Sequence, residues 1–437
     1  MALAPSLQVF RHRAYLHFWS MRVSIAAARQ MEAITIGYQV YDLARRPAES
    51  GGLGWSIEES AFLLGLVGLA QFLPVLLLSL VGGQAADRLN RKMILIVSNA
   101  VRLGLSVALL AAVFMPAENA LPIIFGVAMM LGCVNAFTPA AANSLFPKLV
   151  PRDELPSAIA WNSLGFQTAV IVGPAIGGLI YGFFGAATVY SVAIVLAAFA
   201  ILAIATAKTP PHEKVLNVRG WSMVFEGLGY IRRNRIVLGA ISLDLVVVFF
   251  GGAKALLPVF ARDILHVGQE GLGILAASPA IGAATVAFIL ATRPLARHVG
   301  PWMMWAVGIY GVATLVFGLS PFFWLSMIAL IVTGAADEIS VYVRASLIQL
   351  ATPDEMKGRV SSVSFIFISA SNELGEFESG VAARLLGPVG AVVFGGCMAI
   401  VTALAWTRLF PQLARADQFD RIEEQAVKPA QAPASGQ

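Results

Sequence analysis

Gly83-Gln84-Ala85-Ala86-Asp87-Arg88-Leu89-Asn90-Arg91-Lys92 separates two long apolar stretches, one beginning near Ala61 and the next near Met93. A short polar segment of this kind between two apolar runs reads as a turn at a membrane surface. A glycine lets two helix ends approach, an aspartate can sit at a neighbouring helix N-terminus, and cations can anchor the loop to inner-leaflet phosphates. Further apolar runs begin near Leu16, Leu121, Ala158, Thr188, Val237, Gly271, Trp302, Phe322, Ser361 and Val389, which makes twelve. Each is bounded by charges or by Pro and Gly. Only helices and closed barrels satisfy their backbone in lipid, and no run alternates as a barrel strand would, so the runs predict an all-α membrane protein with twelve transmembrane helices.

Composition agrees. Of 437 residues, 58% are apolar and 13% charged, against roughly 45 to 50% and about 25% in an ordinary soluble protein. A water-soluble enzyme is excluded. The net charge of +5 lies in short loops rather than on one face, so no nucleic-acid partner is expected. Of the 30 Lys and Arg, only Arg45, Arg46, Arg262 and Arg384 fall in loops opposite the N-terminal side. Because cytoplasmic loops keep the basic excess, both termini are expected in the cytoplasm. Cys133 and Cys397 both lie in apolar runs, and His12, His17, His212, His266 and His298 are scattered, so neither a metal site nor a cofactor is expected. No cleavage signature follows Met1, and the N-terminus is expected to be retained. Walker A, H-E-x-x-H and G-x-S-x-G are missing.

The longest internal loop divides six runs from six. The expected organisation is an N-terminal six-helix bundle over 1–207, a cytoplasmic inter-domain loop over 208–236, a C-terminal six-helix bundle over 237–411 and a disordered cytoplasmic tail over 412–437. Within the loop, Trp221, Val224, Phe225, Leu228 and Ile231 stand at helical spacing ahead of Arg232, Arg233 and Arg235, predicting an amphipathic segment on the inner membrane surface. An internal repeat supports the division. Tyr41-Asp42-Leu43 ends the first run as Arg262-Asp263-Ile264 ends the seventh, and Pro151-Arg152-Asp153-Glu154 follows the fourth as Thr352-Pro353-Asp354-Glu355 follows the tenth.

With those residues in view, the decapeptide resembles motif A of the major facilitator superfamily, G-x-x-x-D-[RK]-x-G-[RK]-[RK], with Gly83, Asp87, Arg88, Arg91 and Lys92 in the motif positions. Asn90 replaces the usual Gly, and because Asn tolerates the left-handed backbone the turn is expected to persist. Gly173-Pro174-Ala175-Ile176-Gly177-Gly178 looks like the G-P-x-x-G-G end of motif C, found in antiporters. Small residues allow close helix contact there, and Pro174 lets the helix bend. Phe137-Thr138-Pro139-Ala140-Ala141, Leu145-Phe146-Pro147-Lys148-Leu149-Val150-Pro151 and Thr352-Pro353-Asp354-Glu355-Met356-Lys357-Gly358-Arg359-Val360 resemble the branch of enterobactin exporters and macrolide-efflux relatives. The resemblance implies two six-helix bundles related by a pseudo-two-fold axis, and runs 1, 4, 7 and 10 lining a central cavity. The second copy of motif A, between runs eight and nine, has decayed to Arg293-Pro294-Leu295-Ala296-Arg297-His298.

Ionisable groups inside spans are costly, about 2.5 to 3.5 kcal/mol each on insertion scales, and mark functional positions or structural pairs. Glu32, Asp244, Asp337, Glu373 and Glu376 are proton-coupling candidates. Arg29, Gln30, Glu32 and Lys254 are substrate-binding candidates, with Arg29 and Lys254 holding an anionic part of the substrate. The structural alternatives are an ion pair of Glu32 with Arg29 or Lys254, and a network of Asp337 with Arg344. Arg22 and Arg102 read as snorkelling residues. The expected protein is a monomeric, proton-coupled exporter of a small organic compound such as a drug or siderophore in a bacterial inner membrane. The bilayer, protons and that compound are its partners. A lipid or lysolipid mover, an importer, and a non-transporting sensor or scaffold are the alternatives.

Overall fold

A computed structural model describes residues 7–210, 220–251, 253–293, 295 and 297–417. Its elements in chain order are α1 (Arg13–Arg45), α2 (Ile57–Arg88), α3 (Arg91–Ala112), α4 (Ala117–Leu145), α5 (Leu155–Thr206), α6 (Gly220–Arg233), α7 (Arg235–Phe250), the short α8 (Leu257–Val259), α9 (Gly268–Thr292), α10 (Val299–Leu319), α11 (Phe323–Leu350), α12 (Asp354–Leu409) and α13 (Pro411–Ala414). No strand occurs among the described residues.

Nine stretches among them are long and apolar enough to cross a bilayer. Two of the nine cannot be single spans. At 1.5 Å per residue the 52 residues of α5 would reach about 78 Å if straight, more than twice the roughly 30 Å of bilayer hydrocarbon. The chain breaks instead at Gly185 (φ 79°) in α5 and at Gly387 (φ 75°) in α12. Both φ values lie in the left-handed region, which costs an L residue with a Cβ and costs glycine little. Each glycine therefore separates two spans. Together with the 33-residue α1, these divisions accommodate the twelve apolar runs. Leu77, Phe288, Trp305 and Trp324 are exposed, as lipid-facing side chains must be.

The chain forms two compact units. The first comprises Met1–Gly220, Lys254–Ala280 and Gly380–Pro388, the second Trp221–Ala253, Ile281–Ser379 and Val389–Gln437. In the first unit α1 packs along α5, α2 along α4, and α3 against α4 and α5, with Tyr15, Phe18, Leu95 and Ile204 fully buried. In the second, α10 packs on α11 and α11 on α7, around Val237, Val299, Met303, Val343 and Leu347.

The inter-domain loop is helical over Gly220–Arg233, and the disordered tail expected from 412 needs correction. The apolar stripe of α6 turns Ile231 (2% exposed) and Leu228 into the second unit's core. The Tyr230 hydroxyl donates to the Ala351 carbonyl, and Glu226 pairs with Arg359 at 2.6 Å. Protein surface was available to the amphipathic stripe, and burial against it satisfies both its apolar and its polar groups. The side chains of Trp221 and Val224 lie outside those described. Order also continues past Gln412: Leu413 is fully buried, and the Asp417 carboxylate accepts the His298 amide at 3.1 Å. Residues 418–437 lie outside the described residues.

Candidate functional site

The motif A segment is built differently from its sequence-level reading. Gly83 has open space where a Cβ would stand, whereas a Cβ on Gly82 would lie 2.2 Å from the Ala136 carbonyl oxygen, so at this end of α2 it is Gly82 that lets the helix touch α4. Asn90 is not left-handed. It has φ −65° and ψ 113° and caps α3, its Oδ1 accepting from the Lys92 and Met93 amides at 3.0 and 3.4 Å. Asparagine serves there because its side chain satisfies amide donors that the first helical turn leaves open. Arg91 is buried and donates through Nε to the Ala86 carbonyl at 3.1 Å. Lys92 donates through Nζ to the carbonyls of Ala205 and Ala207, both at 2.8 Å, at the C-terminal end of α5. These two cations hold helix ends together rather than reaching for phosphates, and the carbonyl end of a helix favours positive charge. Arg88 is exposed, and the side chain of Asp87 lies outside those described.

The motif C stretch forms a close contact within the first unit. A Cβ on Gly173 would lie 2.6 Å from Gln30 Cβ, and one on Gly177 2.6 Å from Met31 Cα, so α5 rests on the backbone of α1. Gly178 faces Gly273 of α9. Pro174 sits inside α5, and Gln30 donates to the Val170 carbonyl at 3.4 Å.

Glu32 lies on the next turn of α1, 2% exposed, and its partner is neither Arg29 nor Lys254. Arg102 of α3, 3% exposed, donates to Glu32 Oε2 at 3.1 Å and to Asn135 Oδ1 of α4 at 2.9 Å. The Ser106 hydroxyl donates to Glu32 Oε1. Snorkelling therefore does not describe Arg102. A signal was present in the sequence, since Glu32 stands about as far before the end of α1 as Arg102 does before the end of α3. Opposite charges at related depth in two runs are expected to pair. A buried ion pair contributes little net stability, because desolvating both charges offsets their attraction. Its presence marks a polar station inside the first unit.

In the second unit Arg344 of α11 pairs with Asp244 of α7 and not with Asp337. Asp337 and Asp244 line one small hollow with Tyr310 and Ser340. Lys254 is exposed and lies in the 3₁₀ segment Ala253–Leu256, where α7 has already ended. On α12, Glu373 is half-buried and Glu376 exposed.

Two groups escaped the sequence reading. Arg22 donates to Asn143 Oδ1 of α4 at 2.9 Å, and its guanidinium carbon lies 5.6 Å from the centroid of the Phe166 ring on α5. The repeat-related tripeptides also meet each other. Arg262 donates to Asp42 Oδ1 at 2.6 Å, Arg45 donates to Asp263 Oδ1 at 2.7 Å, and the Tyr41 hydroxyl donates to Asp263. A π-helical turn, Phe260–Ile264, presents Arg262 and Asp263. The repeat had been visible as sequence similarity, but contact between its two copies had not.

Comparison with known proteins agrees with this architecture. The profile of a family described as transmembrane secretion effector, within the major facilitator superfamily, matches residues 44–436. The enterobactin exporter EntS of Citrobacter koseri is 26% identical over 333 residues, 75% of this chain and 76% of that protein. EntS of Escherichia coli O1:K1 is 25% identical over the same shares. Among solved structures, a D-xylose-proton symporter superposes with TM-score 0.68 at 13% identity, covering 91% of this chain and 98% of its own. The inward-open xylose transporter XylE of E. coli gives 0.67 at 12% identity, covering 95% and 99%.

Proposed function

Because the chain belongs to the transmembrane secretion effector family of the major facilitator superfamily, a family of multi-pass transporters and not of enzymes, we propose that it exports a small organic compound in exchange for protons. The compound is of drug or siderophore type, and the protein works as a monomer by alternating access, in a bacterial inner membrane with both termini cytoplasmic. The observation that carries the proton coupling is the Glu32, Arg102, Ser106 and Asn135 cluster. Glu32 is the carboxylate proposed to take up and release the proton. Arg102 and Ser106 compete with the proton for its oxygens, so a change in their distance alters its proton affinity. Conformation and protonation are thereby linked, as coupling requires. The basic loop bias supports the orientation, and export is supported by the EntS relatives.

The test is flux in proteoliposomes under an imposed pH gradient, comparing Glu32→Gln with the parent. Loss of gradient-driven transport with retention of substrate exchange is expected. Undiminished proton-driven transport in the variant would remove Glu32 from this role.

A further inference from the structure

Arg22 sits within the apolar length of α1 and is half-buried. Of the five N–H groups of a guanidinium, one is bonded, to Asn143 Oδ1 at 2.9 Å, and Arg22 has no carboxylate partner among the described residues. Its plane is placed from two sides: α4 holds one edge through Asn143, and α5 sets Phe166 5.6 Å from the guanidinium carbon. Arg29 follows two turns later on the same face of α1. The one carboxylate within this length of α1, Glu32, is bonded to Arg102 and Ser106. A cation in a span is costly without a counter-charge, and this one is held by two other helices, through Asn143, two residues before the end of α4, and through Phe166 of α5.

We propose that Arg22, Asn143 and Phe166 form a binding site for a flat aromatic compound bearing an anionic oxygen group such as a carboxylate, sulfonate or phenolate. The inference rests on the exporter reading above and names its substrate class. The free edge of the guanidinium offers paired donors in the geometry an oxyanion accepts. Phe166 supplies an aromatic surface on which the ligand's ring packs. Asn143 keeps the guanidinium oriented before the ligand arrives, which lowers the ordering cost of binding.

The experiment uses the full chain in phosphatidylcholine nanodiscs, with 2-naphthalenesulfonate as probe and quenching of tryptophan fluorescence as the readout. Cyclohexanesulfonate and 2-naphthylmethylammonium test the ring and the charge in turn. The parent is expected to bind 2-naphthalenesulfonate more tightly than either control. Arg22→Gln is expected to weaken it roughly tenfold or more, as loss of a charge-assisted hydrogen bond does. Arg22→Lys should weaken it less, and Phe166→Leu and Asn143→Ala severalfold. No preference for the aromatic anion in the parent, or parent-like binding by Arg22→Gln, overturns the site. Should Arg22→Gln fail to fold, Arg22→Lys and Phe166→Leu still decide, and parent-like affinity in both overturns it. A phosphate headgroup is the other source of such an anion. If added phosphatidylglycerol binds in an Arg22-dependent way while the sulfonate does not, the residue is a lipid anchor and the proposal falls. Binding needs no gradient, so failure here leaves the coupled-export reading standing. Failure of the Glu32→Gln flux test leaves the site standing.

Discussion

Asp42 and Arg262 meet at 2.6 Å across 220 residues of chain, and each belongs to one of the two related tripeptides that end the first and seventh apolar runs. The second contact, Arg45 with Asp263 at 2.7 Å, reverses the donor and acceptor copies. The pairing is reciprocal because a related segment meets its own relative. All four side chains are partly exposed, so each pair is expected to contribute no more than about 1 kcal/mol. A double-mutant cycle of Asp42→Asn and Arg262→Gln, read by thermal unfolding in detergent, should give a favourable coupling of about 0.5 to 1 kcal/mol. Strict additivity would show that the pair does not form.

Arg102→Leu leaves the Glu32 carboxylate buried without its cation. Removing one partner of a buried pair costs about 3 to 5 kcal/mol. The single variant should therefore unfold at markedly lower temperature, and combining it with Glu32→Gln should restore most of the loss. A parent-like midpoint for Arg102→Leu would contradict the pairing.

Neighbouring glycines in the motif A segment are expected to behave oppositely. Gly82→Ala drives a methyl onto the Ala136 carbonyl oxygen, 2.2 Å away, and backbone must shift to admit it. A loss of about 1 to 3 kcal/mol follows from such overpacking. Gly83→Ala meets nothing within 4 Å and should be neutral or slightly stabilising. Equal effects at the two sites would mean that α2 is rotated from the position described.

As the cap of α3, Asn90 should tolerate glycine and not alanine. Asn90→Ala is expected to cost about 1 kcal/mol and Asn90→Gly a few tenths. Were a left-handed turn the requirement, Asn90→Gly would stabilise instead, and the sign of that one measurement separates the two explanations.

Leu413, fully buried where α13 packs on α7 and α10, should cost about 2 to 5 kcal/mol when replaced by alanine. Unchanged stability of Leu413→Ala would place the end of the folded chain at Phe410.

Much of the architecture could be read directly. Apolar length set the spans, because a helix must be long enough to cross the hydrocarbon. Gly185 and Gly387 fall between consecutive runs already distinguished by their polar and small residues. The motif A cations and the small-residue stretch of α5 were also visible, since both depend on residue type at short spacing. Their functions were not: Lys92 binds carbonyls at the end of α5, and Gly82 rather than Gly83 makes the helix contact. Spacing shows which residues share a helix face but does not identify the neighbour they meet.

Residue composition and the lengths of the apolar runs therefore determined, by themselves, a polytopic helical protein and the identities of its costly charges. Desolvation makes such charges stand out wherever they lie. Tertiary structure decided which partner each one meets: Arg102 for Glu32, Asp244 for Arg344, and the neutral Asn143 and Phe166 for Arg22. Hydrogen bonds and ion pairs act over a few ångströms, and partners that close come from helices whose packing and rotation depend on the whole bundle.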